Sequence, residues 1–262
     1  MPSRTRRRRF ASLPPLRGLL PLVLFLAVWQ AINPRGSAYF PPPSAWWVSI
    51  VALVHNGRLF PALDSTLLTI VLGMAIACVV GSAVGLLIGT SPAARRTLGP
   101  LLEFCRVLPP PVIVPIAVLL LGYAQSLKLL IVVWVAAWPV LLNVAAAAAL
   151  VDPLLHEVSR SFRLDRLAWL RKIVLPSTIP AFLLGVRVAV PLAIIITLLV
   201  EMMTMLPGVG SLIVTAQREF RSAEVYGLFV LVGLMGFVLN NCFVLIEARL
   251  LRRWPPQAHQ IS

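Results

Sequence analysis

Six stretches of this chain, residues 16–32, 66–90, 101–121, 127–150, 179–205 and 225–246, are long, apolar and poor in charge. Each is long enough, or nearly so, to cross a bilayer as a helix, because about 20 residues rising 1.5 Å apiece span the hydrocarbon layer. A chain of 262 residues has no soluble interior large enough to hide all six. Its composition agrees: 59% of residues are hydrophobic and 12% charged, with a mean hydropathy of +0.92. The pattern predicts an all-α membrane protein of six transmembrane helices.

The charges that remain lie in short patches. The formal net charge of +14 could suggest nucleic acid, but cations gathered between apolar runs and at the ends are what membrane topology requires, and no nucleic-acid partner is expected. With six spans both termini share a side. Placing them in the cytoplasm puts the cluster Arg4, Arg6, Arg7, Arg8, Arg9 and Arg17 there, with Arg95, Arg96, the cations between residues 156 and 176, and Arg249, Arg252 and Arg253. Arg35, Arg58, Lys128, Arg218 and Arg221 then fall outside, a much smaller group. The bias predicts a multi-pass membrane protein with cytoplasmic ends.

The first apolar run follows an arginine cluster, so it could be a cleaved secretory signal, even a twin-arginine one. No clear small-x-small cleavage site follows it, and "NPRGSAYFPPP" resembles an ordinary exit loop, which favours a retained span. Two outer connections have structure of their own. "PPPSAWWVSIVALVHNG" predicts a short interfacial helix with Trp46 and Trp47 at headgroup depth, and Pro207, Gly208 and Gly210 in "LPGVGSLIVTAQREF" predict a tight turn before a short helix or re-entrant element.

In the second run Gly73, Ala77, Gly81, Gly85 and Gly89 recur every fourth residue. That spacing keeps all five on one face, where another helix backbone can approach closely. The third run opens on Pro109, Pro110, Pro111 and Pro115. Two readings follow: a broken span whose freed carbonyls face protein or a water-filled path, or a late-starting helix with its prolines at the interface.

Glu201 and Arg187 lie within the fifth run and are candidates to line a solute pathway, since ionisable groups at membrane depth face a bundle interior or a cavity. Fourteen residues apart, they sit about 21 Å from one another along a helix and cannot pair. Glu201 is read equally as a gate or a structural hydrogen bond, and Arg187 as an interfacial cation snorkelling to water. Glu103 and Arg106 are one turn apart and form a local ion pair, and Asn143, Asn240 and Asn241 are expected to bridge helices. Cys78, Cys105 and Cys242 are odd in number and scattered, so they read as packing residues and no metal site is expected. His55, His156 and His259 lie apart from any nucleophile, which argues against an enzyme.

Between the fourth and fifth runs stands "HEVSRSFRLDRLAWLRKIVLP", with five cations and two acids. Asp152 and Pro153 start one short amphipathic helix, and Asp165 caps a second on which Leu167, Leu170 and Val174 share a face until Pro176 and Pro180. Such a hairpin either rests on anionic membrane lipid or offers an apolar ridge of Leu155, Val158 and Phe162, rimmed by Glu157, Arg160 and Arg163, to a partner's groove.

The succession of a small-residue span, a proline-broken span, "VDPLLHEVSRSFRLDRLAWLRKIVLPSTIPAFLLGVRVAV" and "VEMMTMLPGVGSLI" resembles the permease subunit of bacterial ATP-binding cassette importers, type I in fold, and within them the nitrate, sulfonate and taurine branch. The family's cytoplasmic motif begins Glu-Ala-Ala, continues to a glycine and ends Leu-Pro. Glu157, Leu175 and Pro176 match it, whereas Val158 and Ser159 replace the alanines and Arg163 the glycine. The resemblance implies that residues 152–176 form a coupling helix docked on an ATPase dimer, with a periplasmic solute-binding protein on the other face and a second permease copy. It divides the chain into residues 1–64 (basic terminus, first span and interfacial segment), a permease core at 65–254, and a tail at 255–262. It also implies a small anionic solute. The chain itself has no G-x-x-x-x-G-K-[ST] loop, so ATP would be bound by the partner and no cofactor is expected here. A membrane scaffold and a secondary transporter are the other classes the residues permit; no internal repeat or buried carboxylate cluster favours the latter.

Overall fold

The computed structural model describes residues 16–33, 37 and 39–251, so the arginines before residue 16, Arg35 and the tail lie outside the described residues. The described chain is helical throughout: α1 (Leu16–Ile32), α2 (Pro43–His55), α3 (Leu59–Thr90), α4 (Pro92–Val107), α5 (Pro110–Leu121), α6 (Gln125–Ala149), α7 (Pro153–Ser161), α8 (Arg166–Trp169), α9 (Leu175–Thr204), α10 (Val209–Arg218) and α11 (Ser222–Leu251), with a π-helical turn at Leu170–Val174.

Three helices make the core. α6 lies between α3 and α9, and the small-residue row explains how closely. Carbons built on Gly81, Gly85 and Gly89 would fall 2.8, 2.7 and 2.6 Å from the carbonyl oxygens of Ala137, Leu141 and Ala145, and Ala77 is fully buried in the same row. Gly185 of α9 approaches the other side of α6, where a side-chain carbon would stand 2.8 Å from Pro139 O. Backbone-to-backbone contact at this range maximises dispersion where there is no hydrophobic drive between helices in lipid. Ile131, Val132, Val140, Val144, Ala189, Ala193 and Val200 fill the seams.

Four helices are long and apolar enough to cross a membrane: α3, α6, α11 and the continuous Arg166–Thr204 segment. The proline-rich third run is not one straight span. α4 and α5 meet at an angle of 97° across Leu108 and Pro109, because Pro109, Pro110 and Pro111 remove consecutive donors. α4 buries none of its residues and carries the Glu103–Arg106 pair at 3.3 Å. α5 has only 12 residues, about 18 Å of helix, and is too short to cross alone. The described part of α1 is also a short apolar helix. Six full-length crossings are therefore not what the described residues present.

The bundle has two distinct ends. One carries α2 and α10, which pack Leu53, Leu59, Val209, Leu212 and Leu228 into a second small core. Trp46 is buried here: its indole donates to Pro41 O, its ring stacks on Tyr226 at 5.4 Å, and Trp29 meets both edge-on. Trp47 is exposed, whereas the Trp46 ring is enclosed and its N–H finds a carbonyl within the fold. The other end carries α7 and α8, facing the α3–α4 corner across a cavity of about 640 Å³ lined by Thr90, Ser91, Arg166 and Trp169.

Two further expectations are corrected. Asn143 and Asn241 do not bridge helices: their amides donate to Pro139 O and Phe237 O, four residues back in their own helices. Nor is there a separate second amphipathic helix after Asp165. Asp165 does cap the chain by accepting from Ala168 N, but α8 runs through the π turn into α9 without interruption. Pro176 lacks an N–H, and the chain accommodates this by lengthening one turn, with Leu175 N bonded to Leu170 O.

Candidate functional site

Two features stand apart from simple packing, one at each end of the bundle. At the α10 end, Lys128 and Glu201 form an ion pair at 2.9 Å with both side chains fully buried, at 0% exposure. α6 supplies the ammonium three residues past its start, and α9 supplies the carboxylate one turn before its end. Every proton of the ammonium has an acceptor: Glu201 Oε1 at 2.9 Å, Ser65 Oγ at 3.0 Å and Pro207 O at 2.8 Å. Glu201 is as well served. Thr66 Oγ1 lies 3.0 Å from each carboxylate oxygen, and Gly210 N donates to Oε2 at 3.0 Å.

The turn between α9 and α10 is shaped around this carboxylate. Met205 ends α9 with φ +56°, and Pro207 and Gly208 turn the chain back so that α10 starts against Glu201. Val209 N donates to Thr66 Oγ1 at 2.9 Å and Gly210 N to Glu201. A helix N-terminus presents unpaired N–H groups and partial positive charge, and Glu201 is the anion that meets them. Gly210 is required as well, since a side-chain carbon there would stand 2.5 Å from Leu198 O. Ser65 Oγ donates to Pro207 O at 2.7 Å, and Gln125 Nε2 to Thr69 Oγ1 at 2.6 Å, which extends the polar contacts to the start of α6.

Four elements thus converge on one buried charge pair: α3, α6, α9 and the turn into α10. A charge taken out of water is tolerable only with such complete pairing. The sequence reading counted Lys128 with the outside charges, at the outer end of the fourth apolar run, and gave it no partner. Lys128 lies inside α6 and its partner is 73 residues away. The local sign of the site was Pro-Gly-x-Gly, six residues beyond an intramembrane glutamate.

Arg187 is not part of this site. Its guanidinium lies 3.9 Å from Glu247 of α11, and its side chain is 56% exposed. Leu184 and Val188 beside it are also exposed, so this stretch of α9 is open on one side.

At the opposite end, α7 projects from the bundle. Asp152 accepts from Leu154 N at 2.8 Å as its N-cap. Past Ser161 the chain reverses at Arg163, where φ is +48° and Leu164 N bonds Ser159 O at 3.0 Å. A left-handed residue closing a helix is ordinarily glycine, and a side chain there costs roughly 1 kcal/mol. Phe162 is 74% exposed, Leu154, Leu155 and Glu157 are exposed, and Ser159 is buried against the bundle. The side chains of Val158 and Arg160 lie outside the described set. Leu175 and Pro176 open α9, with Leu175 exposed.

A multi-pass helical membrane protein with α7 projecting from one end is the class these features define. The model of the family of binding-protein-dependent transport system inner membrane components matches residues 77–254, from the middle of α3 through α11. The chain belongs to that family and is a transport permease. Among similar proteins, the bicarbonate transport system permease protein CmpB of Synechocystis sp. is 28% identical over 90% of this chain and 88% of its own length. The putative aliphatic sulfonates transport permease protein SsuC of Bacillus subtilis is 27% identical over 90% and 87%. The nitrate import permease protein NrtB of Synechococcus elongatus is 28% identical over 92% of each.

Proposed function

We propose that two copies of this chain form the solute path of an ATP-driven importer for a small inorganic or organic anion. The observation that carries the substrate class is the similarity, over about nine-tenths of the chain, to permeases whose names specify bicarbonate, aliphatic sulfonates and nitrate, all of them anions. A separate ATPase dimer binds the nucleotide, and this chain needs no cofactor. A solute-binding protein delivers the anion from the periplasm to the end that carries α2 and α10, while both termini and α7 face the cytoplasm, surrounded by the inner-membrane lipid.

The exposed ridge of α7 supports the coupling reading. Phe162 is a large apolar side chain held in solvent by a strained turn, and buried aromatics dominate helix-in-groove contacts. In this scheme closure of the ATPase pair on ATP moves α7, and α9 carries the motion into the bundle. Glu157 and Arg163 set the register at the rim. Glu201 does not meet solute, because both its oxygens are engaged and its side chain is fully enclosed. Arg187, on the open side of α9, is the better candidate for contact with a passing anion.

The test is reconstitution in vesicles with the chain's own ATPase and binding protein, measuring uptake of bicarbonate, nitrate and an alkyl sulfonate. Accumulation of one of them that requires ATP and all three components is the expected result. Flux without ATP by this chain alone would make it a secondary carrier. No flux under any combination, with the ATPase still recruited, would make it a scaffold.

A further inference from the structure

We infer that Glu201 and Lys128 are positioning residues that seat α10 on the end of α9, so that the two move as one body, and that the pair works in one orientation only. Three observations carry this. The carboxylate stands at the N-terminus of α10, where Gly210 N donates to it and Val209 N to the Thr66 hydroxyl that bridges its two oxygens. The ammonium stands where three acceptors converge, one of them the Pro207 carbonyl of the same turn. Gly208 and Gly210 leave no room for a side chain between the turn and Glu201.

The donors and acceptors around the pair are therefore sorted by sign. The Gly210 N–H and the Thr66 hydroxyl donate to Glu201, and the Pro207 carbonyl and the Ser65 hydroxyl oxygen accept from Lys128. An exchange of the two residues would place an ammonium against the positive end of α10 and a carboxylate against the Pro207 carbonyl, and these backbone groups, unlike the Ser65 hydroxyl, cannot reverse their sign to suit. A generic buried salt bridge has no such polarity. This one ties Pro207 and Gly210 of the turn to α3, α6 and α9 at once.

The experiment follows backbone hydrogen exchange of the full chain in nanodiscs by mass spectrometry, comparing residues 205–212 with residues 130–148 of α6. Glu201→Gln is expected to speed exchange of the turn at least tenfold while α6 is unchanged. The double variant Lys128→Met with Glu201→Gln, which leaves no unpaired charge, should recover most of the protection. The reversed pair Lys128→Glu with Glu201→Lys should remain as fast as Glu201→Gln. Thr66→Ala keeps both charges and removes the bridging hydroxyl, and it should speed exchange of the turn alone by about threefold, which keeps the inference testable if Glu201→Gln fails to accumulate. In the complex with the ATPase and binding protein, the same order should appear in the stimulation of ATP hydrolysis by liganded binding protein, with basal hydrolysis unaltered. Protection restored by the reversed pair, or a turn indifferent to Glu201→Gln and Thr66→Ala, would overturn the inference.

Discussion

Gly208 has no space for a side chain because Glu201 occupies it: a carbon built on Gly208 would lie 2.0 Å from the Glu201 carboxylate carbon. The glutamate is held by hydrogen bonds on both oxygens and cannot step aside. Gly208→Ala should therefore lower the thermal midpoint of the purified chain by the equivalent of about 3 kcal/mol. Gly233→Ala in α11, where nothing lies within 4 Å, is the matched control and should be neutral or stabilising by up to about 1 kcal/mol. Equal midpoints for the two variants would contradict the crowding.

The α3–α6 seam makes a similar contrast. Gly85→Leu drives a branched side chain into Leu141 O and Val144, whereas Gly99→Leu on α4 meets open space. The first should abolish a stable, monodisperse preparation and the second leave it intact, as size-exclusion profiles in detergent would report.

Phe162→Ala should abolish capture of the ATPase while the chain inserts normally, since Phe162 is exposed and touches little of its own fold. Undiminished pull-down by that variant would remove it as the docking anchor. Its neighbour gives the opposite kind of effect. Arg163→Gly relieves a left-handed backbone at φ +48° and should stabilise the chain by about 1 kcal/mol, measured as a rise in thermal midpoint.

Arg187→Gln should change stability by less than about 1 kcal/mol, because its contact with Glu247 is 3.9 Å long and the Arg187 side chain itself is more than half exposed. A selective fall in anion uptake with an unchanged midpoint would show that the cation acts on solute. An unchanged uptake would leave it as an interfacial charge.

What the sequence disclosed and what it hid follow from the range of each interaction. The Gly73 to Gly89 row was readable because one helix carries the whole pattern, and the structure sets that row against α6. Arg163 stands where the resembled motif has glycine, and its φ of +48° is the left-handed conformation that glycine favours. The partnership of Lys128 with Glu201 was not, since nothing local distinguishes a lysine near a helix start from a loop cation, and the contact spans 73 residues. Asn143 and Asn241 were misread for a related reason. An amide at membrane depth needs an acceptor, and the carbonyl one turn back in its own helix was nearer than any neighbour. The prolines at 109–111 announced a break, but its 97° bend depends on what α4 and α5 each pack against.

The run from Arg166 to Thr204 is one unbroken helix of 39 residues, roughly 58 Å from end to end. It leaves the strained corner at Arg163 on one side of the bundle and delivers Glu201 to the other. A displacement at the near tip would have to travel along this single member, and the places where it can bend on the way are the π turn at Leu170–Val174 and the prolines at 180 and 191.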